Sequence, residues 1–268
     1  MSGVWSRIGA VTERALALGA LQPIDTRTER FDDGDVAFMV RVIERLADKP
    51  VALPPGVRGE NPFSPYEEAM YVADLGPDHV ALLNKFMVIE DHLLVVTRAY
   101  APQTSRLEPA DFAAVLQCFG TRPVLAFYNG GGAGAGSQPN RPPQVVPLPL
   151  HPDFPALPLD PERVTKVPFA RHVQRFATPP TAAEAHAAYL AGLDAFGLAP
   201  LAKDGLTRPY NLLLTERWSM VIPRLAEHVD GISINALGFA GALLVKNEAQ
   251  LDRLRERGPF AALRAVVG

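Results

Sequence analysis

The sequence predicts an α+β fold with a largely antiparallel sheet flanked by helices. Three observations carry this. Apolar, β-branched segments recur at hairpin-range spacing, and helical patterns come in blocks rather than after every strand. Prolines cluster at 139–168 and again at 179–180, so the middle third of the chain is expected to be extended or looped. The strict strand–helix alternation of a doubly wound parallel sheet is missing.

The elements follow in order. Apolar residues at Val4, Ile8, Val11, Leu16 and Leu18 suit an opening amphipathic helix. "VAFMVRVI" (36–43) reads as a strand. "HVALLNKFMV" (79–88) and "HLLVVTRAY" (92–100), joined by the turn-like "IED", read as an antiparallel pair. "LEPADFAAVLQCFG" is a short helix, with Pro109 in its first turn, Asp111 at its positive end and Gly120 as its stop. "VLAFYN" (124–129) is a strand that leads into a glycine-rich loop, and "QVVPL" is the next. The helix in "TPPTAAEAHAAYLAGLDAFG" starts on a capping box of Thr181 and Glu184 and stops at Gly197. "YNLLLT" (210–215), "WSMVIPR" (218–224) and "GALLVK" (241–246) are strand-like, and the last helix runs from an Asn247 cap to Gly258. No internal repeat of fixed period is visible.

The bulk composition narrows the classes. A chain of 268 residues, 48% hydrophobic and 21% charged, can form one continuous core. A net charge of −3 gives no reason to expect nucleic acid or an anionic membrane as a partner. One cysteine, Cys118, rules out an internal disulfide and a cysteine-based metal site, and a reducing, cytoplasmic compartment is expected. Arg7, Glu13 and Arg14 interrupt the apolar residues of the N-terminus, which argues against a signal peptide or a spanning helix.

Chemistry could sit in three places. The loop "YNGGGAGAGSQ" (128–138) exposes backbone N–H groups that can surround anionic oxygens, although a flexible surface loop has the same composition. It runs into a strand, whereas a P-loop or a dinucleotide fingerprint runs into a helix. Second, cations and amides interrupt apolar strands: Asn84, Lys85, Arg224, Asn235 and Lys246. Each alone is a side chain that reaches solvent; several facing one cleft would suit a polyphosphate. Third, His79, His92, His151, His172, His186 and His228 include no pair at metal-ligand spacing, which argues against a zinc site. His79 and His92 flank the expected hairpin in structural positions, and His186 is expected to be exposed on its helix.

These segments together resemble a family: diadenosine tetraphosphate phosphorylase, or ATP adenylyltransferase, of the histidine-triad superfamily, on the branch of galactose-1-phosphate uridylyltransferase. The resemblance is carried by "NPFSPYEEAMYVADLGPDHVALLNKFMVIEDHLLVVTRAYAPQ" (61–103), which contains a Leu-Asn-Lys-Phe signature, by the glycine loop, and by "YNLLLTERWSMVIPR" and "GISINALGFAGALLVK". It spans most of residues 20–265. It implies a histidine-triad-like fold with an N-terminal region, 1–178, that carries the nucleotide loop and a C-terminal region, 179–268, packed on it. It implies cleavage of diadenosine tetraphosphate with inorganic phosphate to ATP and ADP. A histidine attacks the α-phosphorus, one nucleotide leaves, and phosphate then displaces the nucleotidyl group. Adenine nucleotides and phosphate would be the partners, and Mg2+ carried with the nucleotide would be the metal, with no tightly bound cofactor.

By resemblance, Asn129, Gly131, Ser137 and Gln138 fit the family's loop; Ala135, Gly136 and Asn140 are further substrate-binding positions, although Ala135 stands where the family prefers glycine. Gln144 fits a residue that contacts the reacting phosphate. Asn84 and Lys85 match substrate contacts of the N-terminal core, Asn235, Ala236, Leu237 and Lys246 those of the C-terminal region, and Lys49 an N-terminal phosphate lysine. The departure is central. "NRPPQ" (140–144) stands where the family has His-Lys-His-Leu-Gln, so Asn140 replaces the first histidine and Pro142 the nucleophile. Proline has no nucleophile and no N–H, and Pro143 removes a second backbone donor. Loss of a catalytic nucleophile costs on the order of 10³ to 10⁶ in rate. His151 lies nine residues beyond Pro142, too far along the chain for a substitute without a tight fold-back. Three readings stay open: a weakened or altered enzyme, a binder of adenine nucleotides, or a normal enzyme with a corrupted loop.

Overall fold

The computed structural model describes residues 3–44, 63, 65–131, 140–198 and 207–268. Its centre is an eight-stranded sheet in which every neighbouring pair is antiparallel. In chain order its strands are β3 (Tyr71–Asp74), β4 (His79–Leu83), β5 (Leu93–Thr97), β6 (Val124–Gly130), β7 (Gln144–Pro147), β8 (His172–Arg175), β9 (Tyr210–Leu214) and β10 (Trp218–Pro223). Across the sheet they lie β3-β4-β5-β7-β6-β9-β10-β8. A second sheet of three strands pairs β1 (Thr26–Asp33) with β2 (Val36–Ile43) antiparallel, and β2 with β13 (Ala242–Val245) parallel. Two short strands, β11 (His228–Val229) and β12 (Ile232–Ser233), form a small hairpin.

The pleat of the large sheet sorts its side chains into two cores. Val124, Ala126, Tyr128, Leu212, Leu214 and Val221 face one way. There they pack against α1 (Val4–Ala17), α2 (Pro109–Leu116) and α3 (Ala182–Ala195). The alternate residues Leu125, Phe127, Leu213, Trp218, Met220 and Ile222 face the other way, onto β2, β13, α4 (Glu248–Arg257) and α5 (Pro259–Ala265). The expected opening helix, both hairpin strands and the capping-box helix are all present, with Thr181 Oγ1 accepting from the Glu184 N–H. The proline-rich segment is built into the second core: Leu157, Leu159 and Phe169 are buried there, and the Leu159 N–H bonds the Ala240 carbonyl.

Several local readings need correction. The strand expected over 79–88 ends at Leu83, because the chain turns at Asn84, where β4 and β5 already pair Leu83 with Leu93. Asn84 and Lys85 therefore sit on a turn, not in a strand. Asn235 is also outside a strand: it caps a short 3-10 helix, Ala236–Ala240, with its Oδ1 accepting from the Leu237 N–H at 3.0 Å. His186 is half-buried against the rings of Phe112 and Tyr189 rather than exposed. Arg224, grouped above with possible cleft cations, is buried. Its guanidinium bonds Asn211 Oδ1 and the carbonyls of Val266 and Ala226, and burial pushes its pKa down to about 10.

Candidate functional site

The sheet register builds the site. Leu83 faces Leu93 across β4 and β5, which puts Asn84 beside His92, and the Asn84 N–H donates to the His92 carbonyl at 2.8 Å. Leu94 faces Gln144 across β5 and β7, so the ring of His92 lies diagonal to Gln144 on one face of the sheet. Asn84 Nδ2 lies 3.1 Å from His92 Nδ1, and His92 Nε2 lies 2.9 Å from Gln144 Oε1. Asn84, His92 and Gln144 thus form a hydrogen-bonded row from the β4–β5 connection to the start of β7. The row lies on the face of Phe127, whose ring centroid is 5.7 Å from that of His92, and so turns toward the layer of β2 and β13. His92, read from sequence as a structural hairpin flank, links Asn84 to Gln144 in this row.

Burial pushes the pKa of His92 down to about 4, with the Gln144 bond opposing in part. The ring is neutral at physiological pH. In the unfolded chain its pKa is near 6.5. Between these two values the unfolded chain takes up a proton that the folded chain refuses, so this group lowers stability as pH falls from 6.5 towards 4 and has no effect above 6.5. The expected loss is roughly 2–3 kcal/mol at about pH 4.5. Urea denaturation at about pH 7 and about pH 4.5 measures it, and His92→Gln should lose less stability than the parent chain by that amount.

The pentapeptide 140–144 enters β7 by the same pleat. Gln144 faces the row, whereas Pro143 lies against Asp111 and Phe112 on the helix side. Alternation then sends Arg141 to the helix side and Pro142 to the side of Gln144. Arg141 indeed reaches α2: its Nη2 lies 3.1 Å from Asp111 Oδ2, and its Nη1 bonds Ser105 Oγ at 3.1 Å. Asp111 is buried, accepts from the Glu108 N–H, and its other oxygen lies 2.9 Å from His79 Nε2. Asn140 pairs with Pro102 in a β-bridge, the Arg141 N–H bonds the Ala101 carbonyl, and the Pro143 carbonyl accepts from Val95. The segment 140–144 is therefore held at both ends and by a buried ion pair.

Asn129, at the end of β6, ties in the C-terminal region. Its Oδ1 accepts from Asn211 Nδ2 and from the Ala236 N–H, both at 2.8 Å. The turn at Asn235, Ala236 and Leu237 is thereby fixed beside the start of the glycine loop. Gly131 needs its small size: its φ is +85°, and a Cβ there would meet the Arg208 carbonyl oxygen at 2.6 Å. Continued two residues beyond the Phe127–Gln144 pair, the β6–β7 register sets Pro142 across from Asn129.

The two lysines stand apart from this row. Lys85 is half-exposed and paired with Glu67 at 2.6 Å. Lys246 is exposed just past β13, in the other sheet, and its backbone N–H bonds Gln250 Oε1. Lys49, Ala135, Gly136, Ser137 and Gln138 lie outside the described residues. His151 is engaged elsewhere: its Nδ1 accepts from the Asp153 N–H and its ring meets Phe154. No helix among the described residues is long and apolar enough to cross a membrane.

An antiparallel sheet layered between helices and a second small sheet, with a polar row beside β7, defines an α+β protein. Within that class the comparison with family models is decisive. Residues 1–164 match the Ap4A phosphorylase N-terminal domain and residues 165–267 the ATP adenylyltransferase C-terminal domain, and the chain belongs to this family. Among curated proteins of Saccharomyces cerevisiae, it is 29% identical over 243 residues to diadenosine 5',5'''-P1,P4-tetraphosphate phosphorylase 2, covering 74% of this chain and 73% of that protein. It is 28% identical over 278 residues to Protein APA1, covering 89% and 85%. Crystal structures of yeast Ap4A phosphorylase Apa2 share the fold. The complex with Ap4A superposes with a TM-score of 0.75 at 24% identity, covering 98% of this chain and 96% of that one. The complex with AMP gives 0.74 at 24%, covering 97% and 94%.

Proposed function

We propose that this chain binds adenosine polyphosphates in its family's cleft and does not carry out the family's histidine-linked nucleotidyl transfer. One observation carries the reading. The segment that should deliver the nucleophile is folded into the sheet beside Gln144 and its amide row, but the residue at the nucleophile position is Pro142. Gln144, which by resemblance meets the reacting phosphate, keeps an amide beside that segment. Pro142 supplies no lone pair for attack on phosphorus. The relatives named for diadenosine tetraphosphate cleavage, and the one solved with Ap4A and with AMP, supply the ligand class.

A divalent ion such as Mg2+ is proposed to arrive with the nucleotide. Polyphosphate oxygens are hard ligands suited to Mg2+. Its contribution when bound would be neutralisation of phosphate charge.

The test has two arms. The chain is incubated with diadenosine tetraphosphate, inorganic phosphate and magnesium, and ATP and ADP are followed by chromatography. The expected result is no product above a protein-free control, and brisk turnover would sink the claim that the transfer step is lost. Calorimetric titration with the same dinucleotide should show saturable binding, and absence of heat and of competition by ATP would remove the binding claim.

A further inference from the structure

We propose that His92 is a positioning residue whose imidazole fixes which way round the Gln144 amide stands, turning its NH2 group toward the ligand's phosphate oxygens. This deepens the nucleotide-binding reading and rests on it for the identity of the ligand.

The argument runs along the row from one end. The Phe86 backbone N–H can only donate, and it points at Asn84 Oδ1 at 3.3 Å. That bond leaves Asn84 Nδ2, a donor, facing His92 Nδ1 at 3.1 Å. Nδ1 must then be the bare acceptor nitrogen, so the ring proton sits on Nε2. Nε2–H faces Gln144 at 2.9 Å and requires an acceptor there, which makes that atom Oε1. What remains of the amide is Nε2 with its two hydrogens. That nitrogen has no protein partner among the described residues and is not one of the buried polar atoms lacking one, and the side chain is partly open. Every link is the only arrangement in which each donor meets an acceptor.

An amide can present either its oxygen or its nitrogen, and a free glutamine would sample both. A phosphate diester or anhydride offers only acceptors at neutral pH. An amide turned oxygen-outward would repel it, and one turned nitrogen-outward donates to it. The row therefore converts a turn in the β4–β5 hairpin into a fixed donor at the phosphate path. A buried neutral ring is needed, because a proton on Nδ1 would oppose the Asn84 donor and break the chain of polarity. The row needs no nucleophile, so it serves binding in a chain that has Pro142.

The experiment reads orientation and consequence separately. With 15N-labelled histidine, the ring resonances of His92, assigned by their loss in His92→Gln, should show a protonated Nε2 and a bare Nδ1 in the ligand-free chain. A ring protonated on Nδ1 overturns the proposal, whatever the ligand. Calorimetry with diadenosine tetraphosphate and magnesium then follows affinity. His92→Leu should weaken binding roughly tenfold, His92→Gln, which retains a donor toward Gln144, should recover most of that, and Gln144→Leu should weaken binding by a similar factor. The double variant His92→Leu with Gln144→Leu should be no weaker than Gln144→Leu alone. Additive losses, or unchanged binding in His92→Leu, overturn the proposal. If the parent chain binds no dinucleotide, the nucleotide reading falls, and the orientation claim stands or falls on the ring resonances.

Discussion

Asn140→His combined with Pro142→His is expected to give a chain that cleaves diadenosine tetraphosphate at least 10³-fold faster than the parent. The pleat is the reason. Gln144 faces the polar row, and position 142, two residues earlier on the same strand entry, faces the same way. An imidazole there would stand next to Gln144 without any backbone rearrangement. Arg141 and Pro143, which point to the helix side, stay as they are and keep the strand in its groove against α2. In the restored step a ring nitrogen forms a bond to the α-phosphorus as the bond to the bridging oxygen breaks and ATP leaves. A phosphate oxygen then displaces the ring nitrogen and ADP forms. Chromatography of ATP and ADP follows turnover, and intact-mass spectrometry without phosphate should find the adenylylated chain. A double variant that binds the dinucleotide but yields neither product nor adenylylated protein would show that more than the nucleophile has been lost.

The strands that sequence revealed are those that alternate or run apolar: Val124–Gly130, Tyr210–Leu214 and Trp218–Pro223 are buried throughout or nearly so. What it concealed has a physical cause in each case. Thr26–Asp33, "TRTERFDD", has almost no apolar residues and forms a strand because β2 offers a full antiparallel register. Some of its charges pair within the strand, and others with residues more than two hundred positions away: Arg27 with Glu248 and Glu29 with Arg255. The strand at His172–Arg175 hides among prolines and exists as an edge on β10. "NALGFAG" looks like strand because an unbroken apolar run carries no period, yet Asn235 caps it as a 3-10 helix.

The site divides the same way. Asn84, Lys85, Asn140, Gln144 and residues 235–237 were singled out through motifs; the structure ties Asn84 to Gln144 through His92 and Asn129 to Ala236, and leaves Lys85 paired with Glu67. The motifs did not pick out His92, which joins Asn84 to Gln144. Its partners lie on the turn after β4 and on β7, and the only trace in sequence is the hairpin register, which sets Asn84 beside it once Leu83 is paired with Leu93. Arg224 fails in the opposite direction. A cation after an apolar strand suggested a cleft, but the guanidinium is spent on Asn211 and two carbonyls and lies over the ring of Phe239.

Asp111→Ala should cost about 3–5 kcal/mol of folding stability, the largest loss we expect from a residue that touches no ligand. The carboxylate is almost fully buried and has three partners: Arg141 Nη2 at 3.1 Å, His79 Nε2 at 2.9 Å and the Glu108 N–H at 2.6 Å. Removing it leaves the Arg141 cation, itself mostly buried, without its counter-charge, and removes the capping box at the start of α2. Most of the cost comes from the stranded charge, so Asp111→Ala with Arg141→Met should recover a large part of it, since a buried ion pair replaced by apolar groups is near neutral. Urea denaturation of the single and double variants separates the two contributions. A single-variant loss below about 1 kcal/mol would mean that Arg141 reaches solvent once released. The same pair also governs the site. Arg141 and Asp111 tether the segment that enters β7 to the helix side, one residue before Pro142 and three before Gln144. Asp111→Ala should therefore weaken dinucleotide binding in the fraction that stays folded, and the double variant, which restores stability but not the tether, should remain a weak binder.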